Sequence, residues 1–143
     1  MDIDILKGAE DYDLGQIDSL LHQLDEHAPE LDRVRLLHLL EDPDFELFIA
    51  RESCGGTIVA MLSLTCCQTL SRPKYWIEDV IVDISCRGSG IGRALVEAAV
   101  SHVRHKEGHP VIYLTSNPSR TAARNLYRSV GFEDYETGVF RIK

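Results

Sequence analysis

"YWIEDVIVDISCRGSGIGRALVEAAV", residues 75–100, decides how the rest of the chain is read. It opens as a strand rich in β-branched and aromatic residues, "YWIEDVIVDI". It then places Gly88, Gly90 and Gly92 within five positions and passes into an alanine- and valine-rich helix from about Ile91 to Lys106. Each glycine costs about 1 kcal/mol relative to alanine inside a helix. Three together at a helix start predict a backbone that turns tightly and lies bare. The first N–H groups of a helix lack partners, and the dipole leaves that end partly positive. Such a loop suits a large anion, phosphate above all. The alternative is a flexible loop that precedes a helix.

The chain has 143 residues, enough for one domain, 1–143, with a proper core. Hydrophobic residues make up 44% and charged residues 27%, an ordinary balance for a globular protein. No apolar run approaches the roughly 20 residues of a membrane span, and the acidic start "MDIDILKGAEDYD" lacks a signal-peptide pattern. Cys54, Cys66, Cys67 and Cys86 show no C-x-x-C spacing and suit a reducing cytoplasm. The net charge of −8 argues against nucleic acid as the main partner. Its distribution is uneven. Residues 1–83 hold 18 acids against 6 Lys/Arg, and residues 84–143 hold 5 acids against 9 Lys/Arg. An anionic ligand is drawn to the second part and a cationic one to the first, unless the imbalance is only a solvated surface.

Outward from the opening stretch, "DIDILKGA" predicts a first strand. Leu14, Ile17, Leu20, Leu21 and Leu24 predict a helix ended by Pro29, and "LDRVRLLHLLEDP" a second one stopped by Pro43. "FELFIAR" and "TIVAMLSLTCCQTL" read as strands joined by a turn at "ESCGG". A loop at Ser71–Lys74 follows. "PVIYLT" predicts a buried strand. "SNPSRTAARNLYRSVGF" predicts a helix with Pro118 near its first turn and Gly131 past its end, and "TGVFRIK" a last strand. The order β-α-α-β-β-β-α-β-α-β predicts an α/β fold. Its sheet is mixed and mostly antiparallel, with one right-handed parallel β-α-β crossover over Trp76–Thr115 and helices on both faces. A dinucleotide-binding fold would alternate from the start, and its third glycine is here Arg93.

"RGSGIG" after a strand and "LYRSVGF" on the last helix together resemble the GCN5-related N-acetyltransferase (GNAT) superfamily. The loop pattern Arg/Gln-x-x-Gly-x-Gly/Ala falls on Arg87, Gly90 and Gly92. The second signature falls on Ala123, Tyr127, Gly131 and Phe132. The resemblance covers residues 75–132, while residues 1–74 match in element order. The family often has asparagine seven residues before the tyrosine; here that position is Arg120, with Asn117 nearby as a substitute.

The resemblance implies acetyl-CoA as co-substrate and an amine acceptor, without a metal. Its pyrophosphate would lie on the amides of Gly88, Ser89, Gly90, Ile91, Gly92 and Arg93, with Arg87 and Arg93 adding charge. Its pantetheine arm would run along Val80, Ile81 and Val82, where the family strand carries a bulge. A backbone donor freed there is worth roughly 3 kcal/mol in the transition state. Asn117 and Arg120 are further candidates for CoA contact. Tyr127 would protonate the departing thiolate. An alkylammonium with a pKa near ~10 also needs a base. Glu78 is favoured, on the parity of Trp76, Val80 and Val82, with Asp79 in reserve. Each also reads as a structural residue: Tyr127 as core, the carboxylates and arginines as solvated ion pairs. His102 and His105 stand three apart on a helix without a third ligand and read as solvated. "IEDV" (77–80) resembles the strand of glucosamine-6-phosphate N-acetyltransferases, a match of four residues.

The expectation is a cytoplasmic acetyltransferase acting through a ternary complex on a primary amine of a small, cationic molecule. A homodimer is compatible with it, and no membrane partner is expected. The alternatives are a peptide or protein amine as acceptor, a silent CoA-binding sensor, and a different acyl donor such as succinyl- or propionyl-CoA.

Overall fold

A computed structural model describes residues 1–53 and 56–143. The middle of the expected "ESCGG" turn, with Cys54, lies outside the described residues. The elements are β1 (Asp2–Leu6), α1 (Asp11–Leu24), α2 (Arg33–Glu41), β2 (Phe45–Arg51), β3 (Ile58–Gln68), β4 (Pro73–Val82), a 3-10 turn (Ile84–Cys86), α3 (Ile91–Glu107), β5 (Ile112–Leu114) and α4 (Thr121–Val130). The strands form one sheet in the order β1-β2-β3-β4-β5. The first three pairings are antiparallel and β4–β5 is parallel. This is the expected mixed α/β sheet with its single parallel crossover.

Strand alternation divides the core between the two faces. On one face Phe48, Leu62, Leu64, Tyr75 and Ile77 pack against Leu95, Val96, Ala99 and Val103 of α3 and Tyr127 of α4. On the other, Leu47, Ile49, Met61 and Ile81 meet Ile17 and Leu20 of α1 and Leu36 of α2. Each fully buried side chain of this size contributes about 1.5–3 kcal/mol. Asp32 caps α2, accepting from the Arg35 amide at 2.7 Å. Asp13 closes a capping box at the start of α1 and pairs, buried, with Arg51 at 2.9 Å. No helix among the described residues is long and apolar enough to cross a membrane.

Several local expectations are corrected. α1 ends at Leu24, five residues before Pro29, where the Asp25 amide caps back onto the Leu21 carbonyl. β4 already begins at Pro73, because Thr69 closes the hairpin turn on the Arg72 carbonyl at 2.7 Å. β5 spans only Ile112–Leu114 and is half-buried, since it is paired on one side alone. α4 starts at Thr121; Pro118 lies before it, in a turn where Asn117 Oδ1 accepts from the Ser119 amide at 3.0 Å. The last strand does not form. Residues 131–143 take no helix or strand, and Val139, Phe140 and Ile142 are 78%, 98% and 97% exposed. A strand needs a partner edge at hydrogen-bonding distance, and among the described residues no strand of the sheet pairs with this segment.

Candidate active site

β4 carries an irregularity that its sequence does not announce. Ser63 pairs with Glu78 and Met61 with Ile81, so Asp79 and Val80 together oppose Leu62. This is a β-bulge, which interrupts the ladder and leaves one residue unpaired. Asp79 takes a left-handed backbone, φ +51°, a conformation that aspartate tolerates better than most residues. Its carboxylate accepts from the buried Ser63 hydroxyl at 2.8 Å.

The bulge reverses side-chain parity. Tyr75 and Ile77 face α3, yet Ile81 faces α1 and α2, while Val80 and Val82 pack on the α3 side. Glu78 therefore does not share a face with Val80 and Val82, as uninterrupted alternation predicts. Glu78 and Asp79 both line one cleft, where regular alternation predicts that only one of them faces it.

The cleft follows from the strand register. β4 and β5 pair only from Tyr75↔Ile112 to Ile77↔Leu114. Beyond Leu114 the parallel partner stops while β4 continues to Val82. In the gap lies a cleft of about 180 Å³ lined by Leu24, Glu78, Asp79, Val80, Thr115, Arg120 and Tyr127, among others. Tyr127 reaches it from α4, where Ala123, Leu126 and Val130 pack alongside it as the helical spacing predicts. The ring is 7% exposed and meets Phe132 edge-on at 6.3 Å. Among the described residues nothing hydrogen-bonds its hydroxyl. Burial pushes its pKa up, and the Arg120 charge draws it partly back. Burial, followed by the nearby Asp79 charge, raises the Glu78 carboxyl above the ordinary carboxylate range.

The glycines sit at the far end of β4 for two different reasons. Gly88 and Gly90 have φ of +80° and +84°, which L side chains rarely adopt. Gly92 instead allows close approach: a Cβ there would stand 3.3 Å from Leu126 Cδ1 and 3.4 Å from Val82 Cγ2. The start of α3 is thus seated directly on β4 and α4. Ala94 makes the first bond back, to the Gly90 carbonyl, so the amides of Ile91, Gly92 and Arg93 precede the helical ladder. Arg87 folds back, its Nε donating to the Val82 carbonyl at 3.0 Å. Arg93 pairs with Glu97 at 2.8 Å and reaches Ser129.

Not all candidates converge. The Ile81 side chain is buried against α1 and α2, leaving only its backbone for a ligand. Asn117 is occupied in its own turn and does not line the cleft. Sequence reasoning missed Ser63, Leu24 and Thr115. Thr115 was legible as the residue closing "PVIYLT", but Ser63 and Leu24 reach the site only through the tertiary fold. Among the described residues no group of three His, Cys, Asp or Glu could hold a metal. His102 pairs with Glu46 at 2.9 Å, and His105 bonds the Ser101 carbonyl of its own helix.

The sequence model of the acetyltransferase (GNAT) family matches residues 12–132. A mycothiol acetyltransferase of Nocardiopsis dassonvillei is 33% identical over 122 residues, covering 78% of this chain but only 36% of that protein. A glucosamine 6-phosphate N-acetyltransferase of Trypanosoma brucei brucei is 31% identical over 142 residues, 92% of this chain and 90% of its own length. The crystal structure of a Trypanosoma brucei acetyltransferase, 26% identical, matches with a TM-score of 0.78 and covers 99% of this chain and 98% of its own. A strand that splays from its parallel partner at a bulge, a glycine loop seated on it and a tyrosine in the gap accompany these matches. The chain belongs to the acetyltransferase (GNAT) family.

Proposed function

We propose that residues 1–143 act as one domain that transfers the acetyl group of acetyl-CoA directly to a primary amine. The observation that carries this reading is the cleft between β4 and β5, where Tyr127, Glu78 and the bulge meet beside the glycine loop. The amides of residues 88–93 bind the diphosphate of the co-substrate, with the helix dipole behind them. Arg93 leaves Glu97, and Arg87 leaves the Val82 carbonyl, to add charge-assisted bonds. The pantetheine arm lies along Val80–Val82, and the interrupted ladder at the bulge supplies a backbone donor to the thioester carbonyl.

Glu78 takes a proton from the ammonium, directly or through water. Its raised pKa makes it a stronger base than an ordinary carboxylate. The amine nitrogen then bonds to the carbonyl carbon, and the C–S bond breaks. Tyr127 gives its phenolic proton to the departing thiolate, and the second proton of the new amide nitrogen passes to the phenolate, which restores the phenol. Arg120 stands beside it as a cation that favours both the thiolate and the phenolate.

A small acceptor is favoured because two relatives are named for small molecules, mycothiol and glucosamine 6-phosphate. The acidic first half of the chain favours a cationic one. A cytoplasmic setting belongs to the same reading, supported by the free thiols of Cys66, Cys67 and Cys86.

The test is thiol release from acetyl-CoA across a panel of polyamines, aminoglycosides, amino sugars including glucosamine 6-phosphate, and lysine and N-terminal peptides. Turnover on a small amine is the expected result. Turnover on peptides alone would reassign the acceptor. No turnover, with CoA still bound, would make the protein a CoA-binding module.

A further inference from the structure

The segment that joins β4 to α3 leaves the sheet at Asp83, whose amide donates to the Val59 carbonyl at 2.7 Å. From there to Gly90 most of its hydrogen bonds are its own. The Cys86 amide donates to the Asp83 carbonyl, the Ser89 hydroxyl to the Cys86 carbonyl, and Arg87 to the Val82 carbonyl. Among the described residues, one side chain from another element is hydrogen-bonded to this segment. It is Gln23 of α1, 60 residues before Asp83.

Gln23 makes two bonds there. Its Nε2 donates to Asp83 Oδ2 at 2.9 Å, and its Oε1 accepts from the Ile84 amide at 3.0 Å. The partners fix which way the side-chain amide points, because a backbone N–H only donates and a carboxylate only accepts. The other Asp83 oxygen accepts from the Ser85 amide at 2.9 Å and from the Ser85 hydroxyl. These bonds, those of Ser85 first and then that of Gln23, hold the Asp83 carboxyl below the usual carboxylate range. The 3-10 turn Ile84–Cys86 is too short to satisfy its own leading amides. Gln23 takes one of them and Asp83 the other.

The place of Gln23 in the fold matters as much as its bonds. α1 packs on one face of the sheet and α3 on the other. Gln23 therefore ties the helix of one face to the loop that starts the helix of the other. The next residue, Leu24, lines the catalytic cleft with Glu78. The anchor is itself held. The His22 ring nitrogens lie 2.8 Å from the Asp18 and Ala28 carbonyls, and Asp18 Oδ1 accepts from the Leu31 amide at 2.8 Å.

We propose that Gln23 is a positioning residue for the diphosphate loop. It acts through Asp83 and Ile84, which it fixes so that the amides of Gly88–Arg93 stand in one arrangement before CoA arrives. A loop set in advance binds its anion without a further loss of chain entropy. The inference rests on reading residues 88–93 as the diphosphate site. By linkage, CoA bound at the loop steadies Ile84 and the end of α1 in return.

Calorimetric titration with CoA and amide exchange, both on the full chain, test this without any turnover. Gln23→Leu nearly keeps the size of the side chain and removes both bonds, and the CoA dissociation constant is expected to rise about 5–10-fold. Gln23→Glu weakens CoA as well, because it sets a second carboxylate against Asp83. In Gln23→Glu/Asp83→Asn, donor and acceptor exchange places across the same gap and the wild-type net charge returns. Its affinity is expected to recover to within about 2-fold of wild type, which a side chain that only fills space would not produce. Circular dichroism checks that Gln23→Leu folds; if it does not, Gln23→Glu with and without Asp83→Asn decides. CoA that leaves the amides of residues 88–93 exchanging freely in the wild type overturns the loop assignment, and this inference with it. Where CoA protects them, an unchanged dissociation constant in Gln23→Leu overturns this inference alone. So does a double variant that binds no tighter than Gln23→Glu.

Discussion

The buried Ser63 hydroxyl donates to the carboxylate of Asp79 at 2.8 Å, and Asp79 is the one non-glycine residue with positive φ among those described. The bond and the strain belong together. A left-handed conformation costs an L residue about 1–2 kcal/mol. A hydrogen bond to a charged group returns roughly 1.5–3 kcal/mol. The bulge is therefore held by the aspartate side chain in a place where glycine is the usual solution. Asp79→Gly relieves the strain as it loses the bond, and is expected to be nearly neutral in thermal unfolding. Asp79→Ala keeps the strain and loses the bond, and is expected to fall by about 2 kcal/mol. With Glu78 as base, Asp79→Gly retains most of the transfer activity. Equal inactivation by both substitutions would assign the proton transfer to Asp79 instead.

The two kinds of loop glycine predict two kinds of defect. Gly90→Ala costs about 1–2 kcal/mol of backbone strain and weakens CoA binding, because the amides that precede α3 are re-aimed. Gly92→Val forces α3 away from Val82 and Leu126 and is the more destabilising, at about 2–4 kcal/mol. Calorimetric titration with CoA, alongside thermal unfolding, separates them. A Gly90→Ala protein with unchanged CoA affinity would remove the loop from the binding site.

The glycine loop was legible because three glycines at a helix start are expensive unless the backbone is used. The helical stripe of Ile17 and Leu20 and the inward Tyr127 were legible because periodicity of 3.6 fixes a face. The bulge was not, since "EDV" contains no glycine to mark it, and period-2 counting across it grouped Glu78 with Val80 and Val82. The splay of β4 from β5 depends on where parallel pairing stops, which is a tertiary fact. The segment 137–143 carries a strand pattern but forms no strand, because a pattern by itself supplies no partner edge.

Glu78 predicts a pH-dependent difference in stability. Its folded-state pKa lies above the ordinary 4.5 because burial disfavours the charge. The folded protein therefore binds this proton at a higher pH than the unfolded chain does. The carboxylate costs stability above the raised pKa, and that cost disappears as the pH falls below 4.5. Glu78→Gln is expected to melt higher than wild type at neutral pH, with the gap closing in acid. A gap that widens in acid would mean that the carboxylate gains more from its neighbours than it loses to burial.

Tyr127→Phe removes one oxygen from a buried ring. Its fold stability should change little, since nothing among the described residues hydrogen-bonds the hydroxyl. With Tyr127 as general acid, kcat falls by roughly 10²–10⁴-fold while the CoA dissociation constant stays where it was. A fall in CoA affinity without a fall in kcat would make the tyrosine part of the binding wall.

The most direct measurement is a crystal structure of the protein with CoA bound. The account predicts the diphosphate on the amides of residues 88–93, the pantetheine beside Val80–Val82, and the sulfur within hydrogen-bond reach of the Tyr127 hydroxyl. Phosphates seated away from that loop, or a phenol turned from the sulfur, would contradict it.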